Sequence, residues 1–122
     1  LITVLPDTAA THHILNAERL AQLPQGASVI NPGRGSLIDE QALLEALGSG
    51  KQPGHLRGAL LDVFQEEPLP TDNPLWQHPK VIITPHMAAP TPLNDAIDQV
   101  IAYLHAFESG EKLSTINPEA GY

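Results

Sequence analysis

The sequence predicts an α/β fold: part of a doubly wound parallel sheet, followed by a C-terminal helix. Three observations predict it. Four short runs are continuously apolar rather than alternating, as strands buried on both faces of a parallel sheet are. Helical patterns with capping residues separate those runs. The composition is aliphatic, 42% hydrophobic with two Phe, one Trp and two Tyr, which suits a sheet covered by helices.

The first run, "LITVL" (1–5), reads as a strand. Asn16 then caps "AERLAQL", which sets Leu20 and Leu23 three residues apart on one side of a helix. "ASVIN" (27–31) is the second strand. Asp39 caps "EQALLEALGSG", where Leu43, Leu44 and Leu47 share a face and Gly48 or Gly50 stops the helix. "GALLD" (58–62) and "KVIIT" (80–84) are the third and fourth strands. Between them, "VFQEEPLPTDNPLWQHP" (63–79) carries four prolines and no helical period, so an ordered loop is expected, anchored by Val63, Phe64, Leu69, Leu75 and Trp76. The longest helix follows, with Thr91 as N-cap, Pro92 at N1, and a stripe of Ile97, Val100, Ile101, Leu104 and Phe107 ending at Gly110. The tail "EKLSTINPEAGY" has little to pack with.

At 122 residues the chain has room for one domain. It begins directly on a strand-like run, and its sole methionine is Met87, so it reads as a piece of a longer protein. A net charge of −8 without a basic run argues against nucleic acid as a partner. The lack of cysteine excludes a disulfide framework and a thiol nucleophile. No apolar run approaches the roughly 18 residues of a membrane span. The expectation is a cytoplasmic protein without a membrane partner.

Ligands of open α/β sheets bind beyond the carboxyl ends of the strands, and those ends yield a short set of chemical groups. "ASVIN" leads into "PGRGS", where Gly33 and Gly35 flank Arg34; glycines there permit positive φ and close approach of a ligand to the backbone. A guanidinium matches a carboxylate with two parallel hydrogen bonds, although Arg34 could equally be a solvent-facing loop residue. "GALL" leads to Asp62 and then to Glu67 in "QEEP". Asp62 could accept a hydrogen bond from an amide donor on a ligand, or cap backbone N–H groups at the strand end. Glu67 could orient an imidazole and favour its charged form, or lie in a solvated acidic turn, as Glu66 is read to do. "VIIT" leads to Pro85 and His86, a ring able to give and take a proton near neutral pH, or a satisfied structural histidine.

Other chemistry is not indicated. His12, His13, His55, His78 and His105 show no H-x-x-x-H or H-E-x-x-H spacing, so no metal site is expected. "GRGS" lacks the G-x-S-x-G elbow of hydrolases. Neither G-x-G-x-x-G nor G-x-x-x-x-G-K is present, so the chain carries no phosphate cradle of its own.

Taken together, "INPGRGSLIDEQALLEALGSGK", "GALLDVFQEEPLP" and "VIITPHMAAPT", in this order, resemble the C-terminal half of the D-isomer-specific 2-hydroxyacid dehydrogenase family. The resemblance runs from "VLPDTAATHHILN" to the final helix, and "PLWQHP" with "INPEAGY" leans toward the branch that reduces glyoxylate and hydroxypyruvate. It departs from the common pattern in the "PG" before Arg34 and in Met87 after His86.

The resemblance implies that residues 1–90 are the C-terminal half of a Rossmann-like NAD(P)-binding domain, and that 91–122 form a helix and tail returning toward a substrate domain outside this sequence. It assigns Arg34 to the substrate carboxylate and carbonyl, His86 to acid/base chemistry, and Glu67 to His86 as partner. It assigns Asp62 to the nicotinamide carboxamide, Leu5 and Pro6 to the cofactor-lining loop, and Asn31, Pro32 and Gly33 to the nicotinamide side. Small Ala88 and Ala89 would leave room beside the imidazole. The implied reaction is reduction of a small 2-oxoacid by NADP or NAD, with NADP favoured, in a full-length homodimer. The 122-residue chain alone would show no turnover, and an orphaned helix stripe would make it sticky. Two rival readings remain at this level: a nucleotide-sensing corepressor of the same fold without enzymatic activity, and an unrelated α/β scaffold.

Overall fold

In a computed structural model, residues 1–111 are described. The chain divides into two compact units, Leu1–Ala88 and Ala89–Tyr122. The expectations for "EKLSTINPEAGY" beyond Glu111 fall outside the described residues.

The first unit is built on a three-stranded parallel sheet in the order β1 (Ser28–Asn31), β2 (Gly58–Leu61), β3 (Val81–Ile83). Ile30 pairs with Leu60, and Leu60 with Ile82. These are three of the four expected strands, trimmed by one residue at one or both ends. The run 1–5 corrects the fourth. It touches β1 through one isolated parallel bridge, Ile2 to Ile30, held by Thr3 N–H to the Ile30 carbonyl (3.0 Å) and Ile30 N–H to the Leu1 carbonyl (2.9 Å). Only Thr3 in this run is buried, while Val4 is 74% exposed. Its backbone bonds to β1 end at Thr3, so the pairing stays a single bridge and no ladder forms.

Two short helices pack on one face of the sheet. In α1 (Ala17–Ala21) the Asn16 Oδ1 accepts the Arg19 N–H at 3.0 Å, and Leu20 is fully buried. The helix ends two residues earlier than its pattern, because Pro24 disfavours helical geometry in the residue before it. In α2 (Glu40–Leu47) Asp39 Oδ1 accepts the Ala42 N–H at 3.1 Å. Leu43 and Leu47 enter the core and Leu44 lies half-buried at its margin. Gly48 stops the helix at φ +75°, where a Cβ would stand 2.0 Å from the Gly54 nitrogen. These helices meet Val29, Ala59 and Leu61 in one aliphatic core.

The sheet is not buried on both faces as expected. β1 and β2 alternate between buried and half-buried, and Ile82 in β3 is 62% exposed. Ile2, Ile30, Leu60 and Ile82 therefore form an apolar row on the less covered face. Continuous apolar runs could not reveal this, since a strand's sequence does not say what covers its second face.

The proline-rich segment between β2 and β3 is ordered. It contains a 3-10 turn, Pro74–Gln77, opened by Asn73 Oδ1 accepting the Leu75 N–H at 2.9 Å. Val63, Phe64 and Leu75 are buried, and Leu69 is half-buried. Trp76 departs from its expected role: it is exposed, and its indole N–H donates to the Pro70 carbonyl at 2.9 Å.

In the second unit α3 spans Leu93–Glu108. Pro92, not Thr91, is the N-cap: its ψ of 128° is extended, and its carbonyl takes the first helical bond from Ala96. The helix ends as expected at Gly110, φ +73°, with Glu111 N–H bonded to the Ala106 carbonyl and Gly110 N–H to that of Phe107. Ile97, Val100, Ile101, Leu104 and Phe107 are all exposed, Phe107 to 75%.

Candidate active site

The ends of β2 and β3 deliver the groups that meet at the site. Beyond β3, Thr84 and Pro85 lead to His86, which takes φ +51°, the left-handed region that costs a non-glycine residue about 1 kcal/mol or more. The conformation turns the ring toward the segment beyond β2. There Glu67 Oε2 stands 2.8 Å from His86 Nδ1, with the imidazole side chain 53% exposed. The second carboxylate oxygen of Glu67, Oε1, accepts the Phe64 N–H at 2.9 Å. Burial alone would raise the Glu67 pKa, but the bonds from Phe64 and His86 outweigh it and hold the carboxyl below its ordinary range. Glu67 is thus a carboxylate at neutral pH. It fixes the imidazole proton on Nδ1 and leaves Nε2 to exchange a proton with a ligand.

Asp62, directly at the end of β2, is 1% exposed. Its carboxylate accepts the Thr84 hydroxyl, the Met87 N–H (3.0 Å) and the Ala88 N–H (2.8 Å). Burial pushes its pKa up, and these hydrogen bonds, with the nearby His86, bring it below the usual carboxylate value. Of its two sequence readings, the structure displays the cap: Asp62 ties the His86 turn to the end of β2. About four acceptor positions exist on a carboxylate, so one remains on Oδ2. Asp62, Glu67 and His86 border a cleft of about 600 Å3 whose other walls include Phe64, Leu69 and Trp76.

Arg34 lies beyond β1 and is exposed; Nη1 donates to the Gly33 carbonyl at 2.8 Å, and the residue is not among those lining the cleft. Its flanking glycines serve a different purpose from the one expected. Neither has positive φ. A Cβ on Gly35 would fall 1.8 Å from the Phe64 carbonyl, and one on Gly33 3.0 Å from that of Thr3. The glycines let protein segments, rather than a ligand, come close. Asn31 is buried and its side chain makes three hydrogen bonds: Oδ1 accepts the Thr3 hydroxyl (2.7 Å) and the Gly33 N–H (3.1 Å), and Nδ2 donates to the Arg34 carbonyl (2.9 Å).

The remaining expected positions are mixed. Leu5 is 41% exposed, Pro6 and Pro32 are half-buried, and the Pro6 carbonyl accepts the Thr11 hydroxyl at 2.7 Å. Ala88 is exposed beside the Asp62 cap, while Ala89 falls in the second unit. Sequence reasoning missed the Phe64 amide and the Thr84 hydroxyl as supports of the site. A hydroxyl residue closing a strand beside a neighbouring strand-end aspartate was the available signal for Thr84. Among the described residues no three His, Asp or Glu groups converge as metal ligands. Nor is any helix long and apolar enough to cross a membrane.

Fold and site together define an open parallel α/β unit with a carboxylate–imidazole pair beyond the carboxyl ends of its strands. The family profile for "D-isomer specific 2-hydroxyacid dehydrogenase, NAD binding domain" matches residues 1–88. The chain belongs to the D-isomer-specific 2-hydroxyacid dehydrogenase family. It is 50% identical over 114 residues to glyoxylate/hydroxypyruvate reductase A of Salmonella paratyphi B, covering 93% of this chain and 35% of that protein. A D-isomer-specific 2-hydroxyacid dehydrogenase from Xanthobacter autotrophicus Py2, crystallised with NADPH and MES, superposes with a TM-score of 0.90 at 43% identity; the match covers 99% of this chain and 49% of that one. An NADPH-dependent glyoxylate/hydroxypyruvate reductase from Sinorhizobium meliloti, crystallised with NADP and sulfate, gives 0.89 at 38% identity, covering 100% and 39%. The chain therefore spans about a third of the length of the curated relatives it matches.

Proposed function

We propose that the chain is the C-terminal half of the cofactor domain of an NADPH-dependent reductase that converts a small 2-oxoacid, glyoxylate or hydroxypyruvate, to the D-2-hydroxyacid. The observation that carries this reading is the Glu67 Oε2 to His86 Nδ1 contact of 2.8 Å at the carboxyl edge of a parallel sheet. The matched relatives bear the names of such reductases, and none supports the nucleotide-sensing corepressor.

The residues fit a nicotinamide cofactor. Asp62 keeps one acceptor position for a carboxamide N–H, Ala88 is small and exposed beside it, Asn31, Pro32 and Gly33 lie at the end of β1, and Leu5 and Pro6 lie in the N-terminal segment bridged to it. Bound NADPH would supply a hydride to the carbonyl carbon. His86 would give its Nε2 proton to the developing alkoxide, while Glu67 stabilises the charged ring before that transfer. Among the described residues, Arg34 engages one of its donors, with the Gly33 carbonyl. The remaining donors would clamp the substrate carboxylate and offset charge on the carbonyl oxygen.

The same reading carries a cytoplasmic homodimer. In support of further assembly, the α3 stripe and the row Ile2, Ile30, Leu60 and Ile82 are apolar surfaces that a longer chain or a second subunit would bury. The domain assignment follows as well, with 1–90 in the cofactor domain and the helix and tail of 91–122 returning toward a substrate domain.

The test is turnover by the full-length parent. NADPH oxidation with glyoxylate or hydroxypyruvate is expected, and Arg34→Ala should abolish most of kcat/KM. A parent that binds NADPH yet reduces neither acid would refute the assignment.

A further inference from the structure

Arg34 and the Glu67–His86 pair stand on different strand ends, so their relative placement depends on what fastens those ends together. Gln65 occupies that position. Its side-chain Nε2 donates to the Ile38 carbonyl at 2.7 Å and lies 2.9 Å from His13 Nε2, while its main-chain N–H donates to Glu40 Oε1 at 2.8 Å. Ile38 and Glu40 follow directly on the 3-10 turn Gly35–Leu37 that begins at Arg34. One residue before Gln65, the Phe64 N–H holds Glu67 Oε1, and the Phe64 carbonyl presses on Gly35 where no Cβ fits.

Chemistry fixes the orientation of the Gln65 amide. A backbone carbonyl can only accept, so the atom 2.7 Å from Ile38 O must be the amide nitrogen. Its second N–H then points at His13 Nε2, which must act as acceptor. An exposed glutamine normally keeps its rotamer freedom, worth up to about 2 kcal/mol. Two side-chain contacts, to Ile38 and His13, hold this one still, and a main-chain bond to Glu40 fixes the backbone beneath it.

We propose that Gln65 is a positioning residue for the reaction assigned above: it locks the Phe64–Glu67 turn onto the segment that follows Arg34 and so aims Glu67 at His86. The proposal rests on that functional reading for its purpose, but its geometry can be tested without turnover. Gln65 touches none of the proposed reacting groups. It acts through the Phe64 amide, whose bond to Oε1 helps keep Glu67 ionised.

The experiment follows the Glu67 carboxyl carbon by NMR through an acid titration of the 122-residue chain. Gln65→Leu keeps the size of the side chain and removes its donors. The Glu67 midpoint is expected to rise by about one pH unit as the Phe64 N–H loosens its hold, while Asp62, capped from the β3 side, titrates as before. An unchanged Glu67 midpoint in a folded Gln65→Leu chain overturns the proposal. Should that variant not fold, Gln65→Ala removes the same side-chain donors without placing a large apolar group at an exposed position, and no rise of the Glu67 midpoint in it overturns the proposal equally. Failure of the parent to reduce 2-oxoacids would leave these titrations unaffected, so the two ideas fail separately.

Discussion

Glu67 Oε2 lies 2.8 Å from His86 Nδ1, joining the segment after β2 to the segment after β3. The contact needs His86 in a left-handed backbone conformation and Glu67 pinned from behind by the Phe64 amide. A left-handed backbone and a ring that meets a carboxylate beside a cleft make His86 a candidate working position.

The pair is expected to carry acid/base chemistry in the full-length parent. His86→Asn should lower kcat for glyoxylate reduction by about 100-fold or more, the span general acid catalysis contributes, while leaving NADPH affinity within a few-fold. Stopped-flow turnover with a parallel cofactor titration separates the two. Equal losses in both would assign His86 to cofactor binding instead.

Asp62 should behave as a structural carboxylate. Removing its charge in Asp62→Asn weakens three hydrogen bonds and sets an amide N–H against a backbone donor, at a cost of about 3 kcal/mol. Urea unfolding of the 122-residue chain measures it. A loss under about 1 kcal/mol would show that the cap contributes little.

The pH dependence follows from the same two groups. Asp62 and Glu67 both have folded pKa values below their ordinary ones. The unfolded state therefore binds protons first on acidification. The stability they contribute is fully present at neutral pH and is lost as pH falls from about 4.3, the unfolded carboxylate range, through the folded values. Urea midpoints between pH 7 and 3 should decline, with a shallower slope in Asp62→Asn. Matching slopes would exclude Asp62 as a source.

Gly35→Ala tests the contact between the Arg34 turn and the Phe64 segment. An added Cβ would fall 1.8 Å from the Phe64 carbonyl, so backbone must move. Destabilisation of about 2 kcal/mol is expected, typical of overpacking. The Glu67 titration midpoint should shift with it. A variant as stable as the parent would mean that the two segments part easily.

The less covered sheet face should govern association. Ile82→Thr, at a residue 62% exposed, is expected to change stability by under about 0.5 kcal/mol and to reduce self-association in light scattering. Leu43→Ala, at a fully buried position, should cost about 3 kcal/mol. Equal stability effects at the two positions would contradict the burial pattern.

What the sequence by itself determined is local. Asn16 and Asp39 cap helices, Gly48 and Gly110 stop them, and β1 to β3 follow the apolar runs, because a cap, a left-handed glycine and a short apolar run each act within a few residues. Arg34, Asp62, Glu67 and His86 were legible as strand-end groups for the same reason.

Only the tertiary structure decided how those groups are used. It put Gly35 against Phe64, turned Asp62 into a cap for the His86 segment, left Trp76 exposed, and kept the run 1–5 to a single bridge. It also gave Gln65 its contacts with His13, Ile38 and Glu40. Each is a contact between residues 20 or more apart along the chain, or a question of what covers a surface. A residue's neighbours in sequence carry no record of either, since both arise only when separate elements pack.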